Sequence, residues 1–92
     1  MLNQPTGWQI ILTRQPQKIL RRLPKNLLQR IDRQFAGLAK NPRAEGCKKL
    51  VGKENLYCIR VGDWRITYAI EEDELVSLIL EIAPTGNTFR SK

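Results

Sequence analysis

The 92-residue chain contains no histidine, one methionine and two cysteines. Without histidine, Ser-His-Asp triads, Cys-His dyads, two-histidine ribonuclease mechanisms and zincin-type zinc motifs are excluded. Two cysteines without histidine fall short of the usual four-ligand zinc site, and nothing in the sequence suggests a metal or an organic cofactor. Cys47 and Cys58 are expected as free thiols in a reducing compartment. No apolar stretch approaches the roughly 18 residues that cross a membrane. The start of the chain also lacks a basic segment followed by a long apolar one, so no secretory signal is expected and a cytoplasmic location is. Any enzyme built from this composition must move protons and stabilise charge with lysine, arginine, carboxylate or tyrosine.

What is abundant is positive charge. Sixteen Lys and Arg stand against nine Asp and Glu, a net charge of +7. The excess is uneven: residues 1–70 carry 14 basic and 4 acidic side chains, residues 71–92 carry 2 and 5. A basic body with an acidic segment points to a polyanionic partner, or simply to a solubilising surface. The 41% hydrophobic and 27% charged content fits a soluble globular fold, and the length fits one domain over residues 1–92.

Trp8–Leu12 is short and β-prone, a first strand. Thr13 can cap the helix that follows, with Pro16 tolerated in its opening turn, and Ile19, Leu20 and Leu23 form a small apolar stripe. Pro24 breaks that pattern and opens a second helix, in which Leu27, Leu28, Ile31, Phe35, Leu38 and Ala39 recur at helical spacing. Arg30 and Arg33 lie mostly off that stripe. Asn41-Pro42 ends this helix, because a residue before proline avoids helical geometry.

Beyond it the period becomes two. Lys48–Val51 reads as a short strand, Leu56–Val61 and Trp64–Glu71 as strands joined by Gly62-Asp63, Glu71–Glu74 as an acidic turn, and Leu75–Ile82 as a final apolar strand. The expected fold class is α+β, in the order β-αα-ββββ, with two helices on one face of a mostly antiparallel sheet.

A two-residue loop fixes the hairpin register. Val61 faces Trp64, Arg60 faces Arg65, Ile59 faces Ile66, Cys58 faces Thr67 and Tyr57 faces Tyr68. Alternation then puts Tyr57, Ile59, Val61, Trp64, Ile66 and Tyr68 on one apolar face, and Cys58, Arg60, Arg65 and Thr67 on the other. Directly opposed arginines weaken a hairpin. Either a local carboxylate such as Glu81 balances them, or they serve a phosphate that forked guanidinium groups bind bidentately. Lys48, Lys49 and Lys53 precede the hairpin and are placed on the rim of the same face. In the last strand, strict alternation puts Leu75, Ser77 and Ile79 on one face and Val76, Leu78, Leu80 and Ile82 on the other. That suggests a central strand or a sheet face covered by something else.

These residues resemble the RelE/ParE superfamily of bacterial toxins. The resemblance rests on Trp8-Gln9-Ile10, on Leu38-Ala39-Lys40-Asn41-Pro42-Arg43, on Lys48-Lys49-Leu50-Val51-Gly52 and, most strongly, on the run Leu56–Tyr68. It implies a RelE-like fold and a toxin of a type II toxin–antitoxin system that cleaves mRNA in the ribosomal A site. In such chemistry the ribose 2′-hydroxyl attacks, while Lys, Arg and Tyr side chains hold the phosphate and assist the leaving oxygen. By position, Arg60 and Arg65 are the expected catalytic residues, and Lys48, Lys49, Lys53, Phe89 and Arg90 the expected RNA contacts. An antitoxin, acidic and with an amphipathic helix, is the implied protein partner, beside the ribosome and its mRNA.

The tail departs from the family pattern. Ala83, Pro84 and Thr85 stand where Gly-His-Arg is common, and Phe89 stands where a tyrosine follows. Cys58 replaces a basic residue. A transition-state arginine and a proton-carrying hydroxyl are thereby lost, which predicts a weakened or rearranged nuclease. The alternatives are a ParE-like inhibitor of DNA gyrase and an inert relative that still binds antitoxin or ribosome.

Overall fold

A computed structural model describes residues 7–43, 46–52 and 54–85. The chain runs β1 (Gln9–Leu12), α1 (Arg14–Leu20), α2 (Lys25–Lys40), β2 (Lys48–Lys49), β3 (Leu56–Val61), β4 (Trp64–Glu71), a 3₁₀ turn (Glu72–Glu74) and β5 (Val76–Pro84). The five strands form one sheet in the order β1-β5-β4-β3-β2. Among the described residues only the β1–β5 pair is parallel; the other three pairs are antiparallel. The expected α+β architecture is therefore the observed one.

The helices pack on one face because the two periodicities meet there. Ile31 and Leu38 of α2 are buried against Ile59, Ile66, Tyr68, Ile79 and Ile82 of the sheet, with Leu20, Leu27 and Phe35 packed around them. Pro24 sits at the N-cap of α2 and Asn41 at its C-cap, as the two prolines require.

Local details depart from the expectations. Thr13 occupies the N-cap of α1 but makes no capping bond. Its hydroxyl and its backbone N–H both donate to the Ile79 carbonyl, at 2.9 and 3.1 Å, tying the helix start to β5. Gln15 extends that tie: its side-chain amide donates to the Ile82 carbonyl at 3.1 Å and accepts the Ile82 N–H at 3.0 Å. The glutamine thus acts as a one-residue strand on the edge of β5, beyond the reach of β1. β2 stops at Lys49, and Val51 is almost fully exposed rather than in a strand. Leu75 is not in β5 but in the left-handed region, at φ +55°, where it closes the acidic turn.

The face assignment in β5 also needs correction. Thr67 pairs with Glu81 but Tyr68 pairs with Ile79, so Leu80 is an extra residue, a β-bulge. The bulge resets alternation: Ile79 and Ile82 both face the helices and are fully buried. Without it, Glu81 would point into the core. β5 lies between β1 and β4, which accounts for apolar side chains on both of its faces.

Candidate functional site: a guanidinium pair on an open β-ribbon

The hairpin pairs as expected, with Val61 opposite Trp64, Arg60 opposite Arg65 and Cys58 opposite Thr67. Gly62 makes this turn possible, with φ at +64°. Arg60 is exposed and Arg65 half-buried. Both line one hollow of about 310 Å³ together with Lys48, Cys58, Gln34 and Thr85. Lys48 reaches it because β2 pairs it with Cys58, on the arginines' face.

Neither arginine has an ion pair among the described residues. Glu81 pairs with Thr67, two residues further along, and makes no ion pair with Arg60 or Arg65. Of the two alternatives, the local carboxylate Glu81 is thus not engaged with the arginines. Arg65 Nε and Thr85 Oγ1 are buried without a hydrogen-bond partner among the described residues. An unmet buried donor costs about 1–3 kcal/mol, and an anion accepting from Nε offsets that cost. Thr85 occupies the position where the family resemblance expects arginine, and it lies in this same hollow.

One expected contact is not brought there. Lys49 pairs with Tyr57 and therefore points to the opposite face; it lines a separate surface hollow with Leu50, Val51, Gly52 and Glu54. Lys53, Phe89 and Arg90 lie outside the described residues. Sequence reasoning missed Arg30 and Arg33 of α2, which line a neighbouring hollow with Arg60. Their signal was an i, i+3 arginine pair on the polar helix face, but helical spacing does not say which strand that face meets.

The far end of the sheet shows an arginine in the opposite situation. Arg43 Nη1 pairs with Glu72 Oε2 at 2.6 Å, Arg43 Nε donates to the Tyr57 hydroxyl at 3.2 Å, and the guanidinium lies 5.5 Å from the Tyr57 ring centroid. The hydrogen bonds it donates to Tyr57 and Glu72 raise its pKa above the ordinary arginine value. The pair is exposed, so it contributes about 0–1 kcal/mol. Arg43 has an ion pair; Arg60 and Arg65 have none among the described residues.

Beneath the ribbon, Tyr68 is fully buried, and its hydroxyl donates to the Pro42 carbonyl at 2.7 Å. Burial, with a smaller contribution from a hydrogen bond to Cys47, pushes its pKa well above the usual tyrosine value. The unfolded chain loses this proton near pH ~10, whereas the folded chain retains it. Stability from Tyr68 is therefore constant below that pH and declines as pH rises past it. The Tyr68 phenolate, assigned by difference from Tyr68→Phe, should appear only as far-UV circular dichroism is lost. A Tyr68 phenolate in a chain with native circular dichroism would contradict this burial.

The model of the family described as ParE toxin of the type II toxin–antitoxin system, parDE, matches residues 10–89. The chain belongs to this family. It is a toxin of a type II toxin–antitoxin system, with the RelE fold. The RelE–RelB complex of the archaeon Pyrococcus horikoshii OT3 is 28% identical, with 87% of this chain and 97% of that chain aligned and a TM-score of 0.79. The intact Escherichia coli RelBE toxin–antitoxin complex is 18% identical over 84% of this toxin and 95% of that chain, with a TM-score of 0.75. The YoeB dimer of Staphylococcus aureus, also 18% identical, covers the same shares with a TM-score of 0.68; these last two likenesses concern the fold. No curated protein sequence matches the toxin significantly. No helix among its described residues is long and apolar enough to cross a membrane.

Proposed function

We propose that this toxin cleaves translated mRNA on the ribosome, with Arg60 and Arg65 gripping the scissile phosphate. The observation that carries the reading is the cross-strand guanidinium pair, which shares a hollow and has no ion pair among the described residues. The ribose 2′-oxygen attacks phosphorus, the bond to the 5′-oxygen breaks, and a 2′,3′-cyclic phosphate and a 5′-hydroxyl result. Charge accumulates on the non-bridging oxygens in the transition state, where paired guanidinium groups stabilise it most. Lys48 adds a third cation at the rim. With Thr85 in place of arginine, the expected rate is reduced but the reaction class is unchanged.

An antitoxin is the proposed protein partner, as in the RelE–RelB and RelBE complexes that the fold resembles. Its acidic residues would meet the basic surface and its amphipathic helix an apolar one. The second reading, inhibition of DNA gyrase, is favoured by the ParE type of the matching family and by the altered residues Pro84 and Thr85.

Primer extension on cellular mRNA after induction of the toxin separates the two. Cuts phased with codons inside translated frames are expected. Intact mRNA together with a DNA-damage response would replace the nuclease with the gyrase reading.

A further inference from the structure

The hollow holding Arg60 and Arg65 has a neighbour that the cleavage reaction does not require. Arg30, Arg33 and Gln34 of α2 face Arg60, Val61 and Gly62 across a second hollow of about 360 Å³. Three guanidinium groups line it, and no carboxylate does among the described residues. Arg30 and Arg33 are exposed, stand one helical turn apart and have no ion pair among the described residues. Like charges at that spacing weaken a helix, so this is a second uncompensated arginine pair. Arg30 is also fitted to the hairpin: a Cβ at Gly62 would come within 3.0 Å of Arg30 Nη1 and 3.3 Å of Nη2. The bare glycine lets the guanidinium lie against the turn.

The two hollows share Arg60 and Gln34 as a common wall. β2 pairs only with Tyr57 and Cys58, so the edge of β3 opposite β4 carries no strand from Ile59 to Val61 among the described residues. A track of cations on both sides of one arginine suits a polymer with an anion at every unit, more than a single phosphate or a lone carboxylate. We infer that the cleft between α2 and the β3 edge is a second phosphate subsite, which holds the single-stranded RNA backbone flanking the bond at Arg60 and Arg65. The inference rests on the RNA reading of the first hollow and extends it to the α2 arginines.

The test is binding of a fluorescent single-stranded RNA, 2′-O-methylated throughout so that it cannot be cut, across a series of salt concentrations. Each single-strand phosphate contact contributes about 0.7 to the slope of log affinity against log salt. Arg30→Gln/Arg33→Gln should lower the slope by about 1.4, and Arg65→Gln by about 0.7. Both α2 substitutions are at exposed positions and glutamine favours helix, so far-UV circular dichroism should be unchanged. A wild-type slope in the double variant, with a reduced slope in Arg65→Gln, overturns the second subsite and leaves the first standing. Equal slopes in all three chains, or no RNA binding by the wild type at low salt, overturn both. A double variant that binds RNA normally but loses affinity for polyglutamate shows an acidic-peptide groove instead, and also overturns the inference.

Discussion

Arg65→Ala is expected to lower mRNA cleavage by about 10²–10³-fold, the usual cost of removing one donor to a transition-state oxyanion, and to abolish growth inhibition on induction. Arg65 is held in place by its strand, opposite Arg60 and beside Ala83, and its Nε lacks a partner among the described residues. A buried Nε with no partner among the described residues, beside a like charge, opposes stability. Arg65→Gln, which keeps part of the aliphatic stem, should therefore melt at the same temperature as wild type or higher while losing activity, the trade-off expected of a strained functional site. Wild-type toxicity in Arg65→Ala would remove Arg65 from the mechanism. A large fall in melting temperature in Arg65→Gln would make the arginine structural.

Thr85→Arg is expected to act in the opposite direction. Thr85 lines the hollow of Arg60 and Arg65 and is held by its N–H, which donates to the Asp63 carbonyl at 2.7 Å. A guanidinium there returns the charge that the family resemblance places at this position. The gain in cleavage rate should approach, but not reach, the same 10²–10³-fold, because residues of one catalytic unit do not contribute additively. A third arginine in the hollow also adds repulsion, so the variant should be less stable when no RNA is bound. Single-turnover cleavage with a melting curve checks both. A Thr85→Arg chain no faster than wild type would mean that the hollow does not hold the reacting phosphate.

The hairpin was the most legible part of the fold, because a two-residue loop at Gly62-Asp63 admits one register and the apolar alternation admits one face. The pairing of Arg60 with Arg65 followed from that alone. The limits of α2 were equally legible, since Pro24 and Asn41-Pro42 are local steric signals. The bulge at Leu80 was not. Its cause is tertiary: Ile79 and Ile82 must both reach the core, while Gln15, far away in sequence, satisfies the Ile82 backbone. Thr13 misled for a related reason, because a hydroxyl suited to capping found a better acceptor on β5. In the candidate site, Lys48 lies with the arginines and Lys49 does not, a one-residue difference decided by which residue pairs with Cys58. Arg30 and Arg33 were invisible as site residues because helix periodicity separates polar from apolar faces without naming the neighbour.

The most direct test of the account uses purified toxin and ribosomes carrying 5′-labelled mRNA with a defined codon in the A site. The account predicts a cut within that codon that leaves a 2′,3′-cyclic phosphate, and no cut when the attacking ribose is replaced by deoxyribose. Intact mRNA under those conditions, with DNA gyrase inhibited by the same preparation, would contradict it.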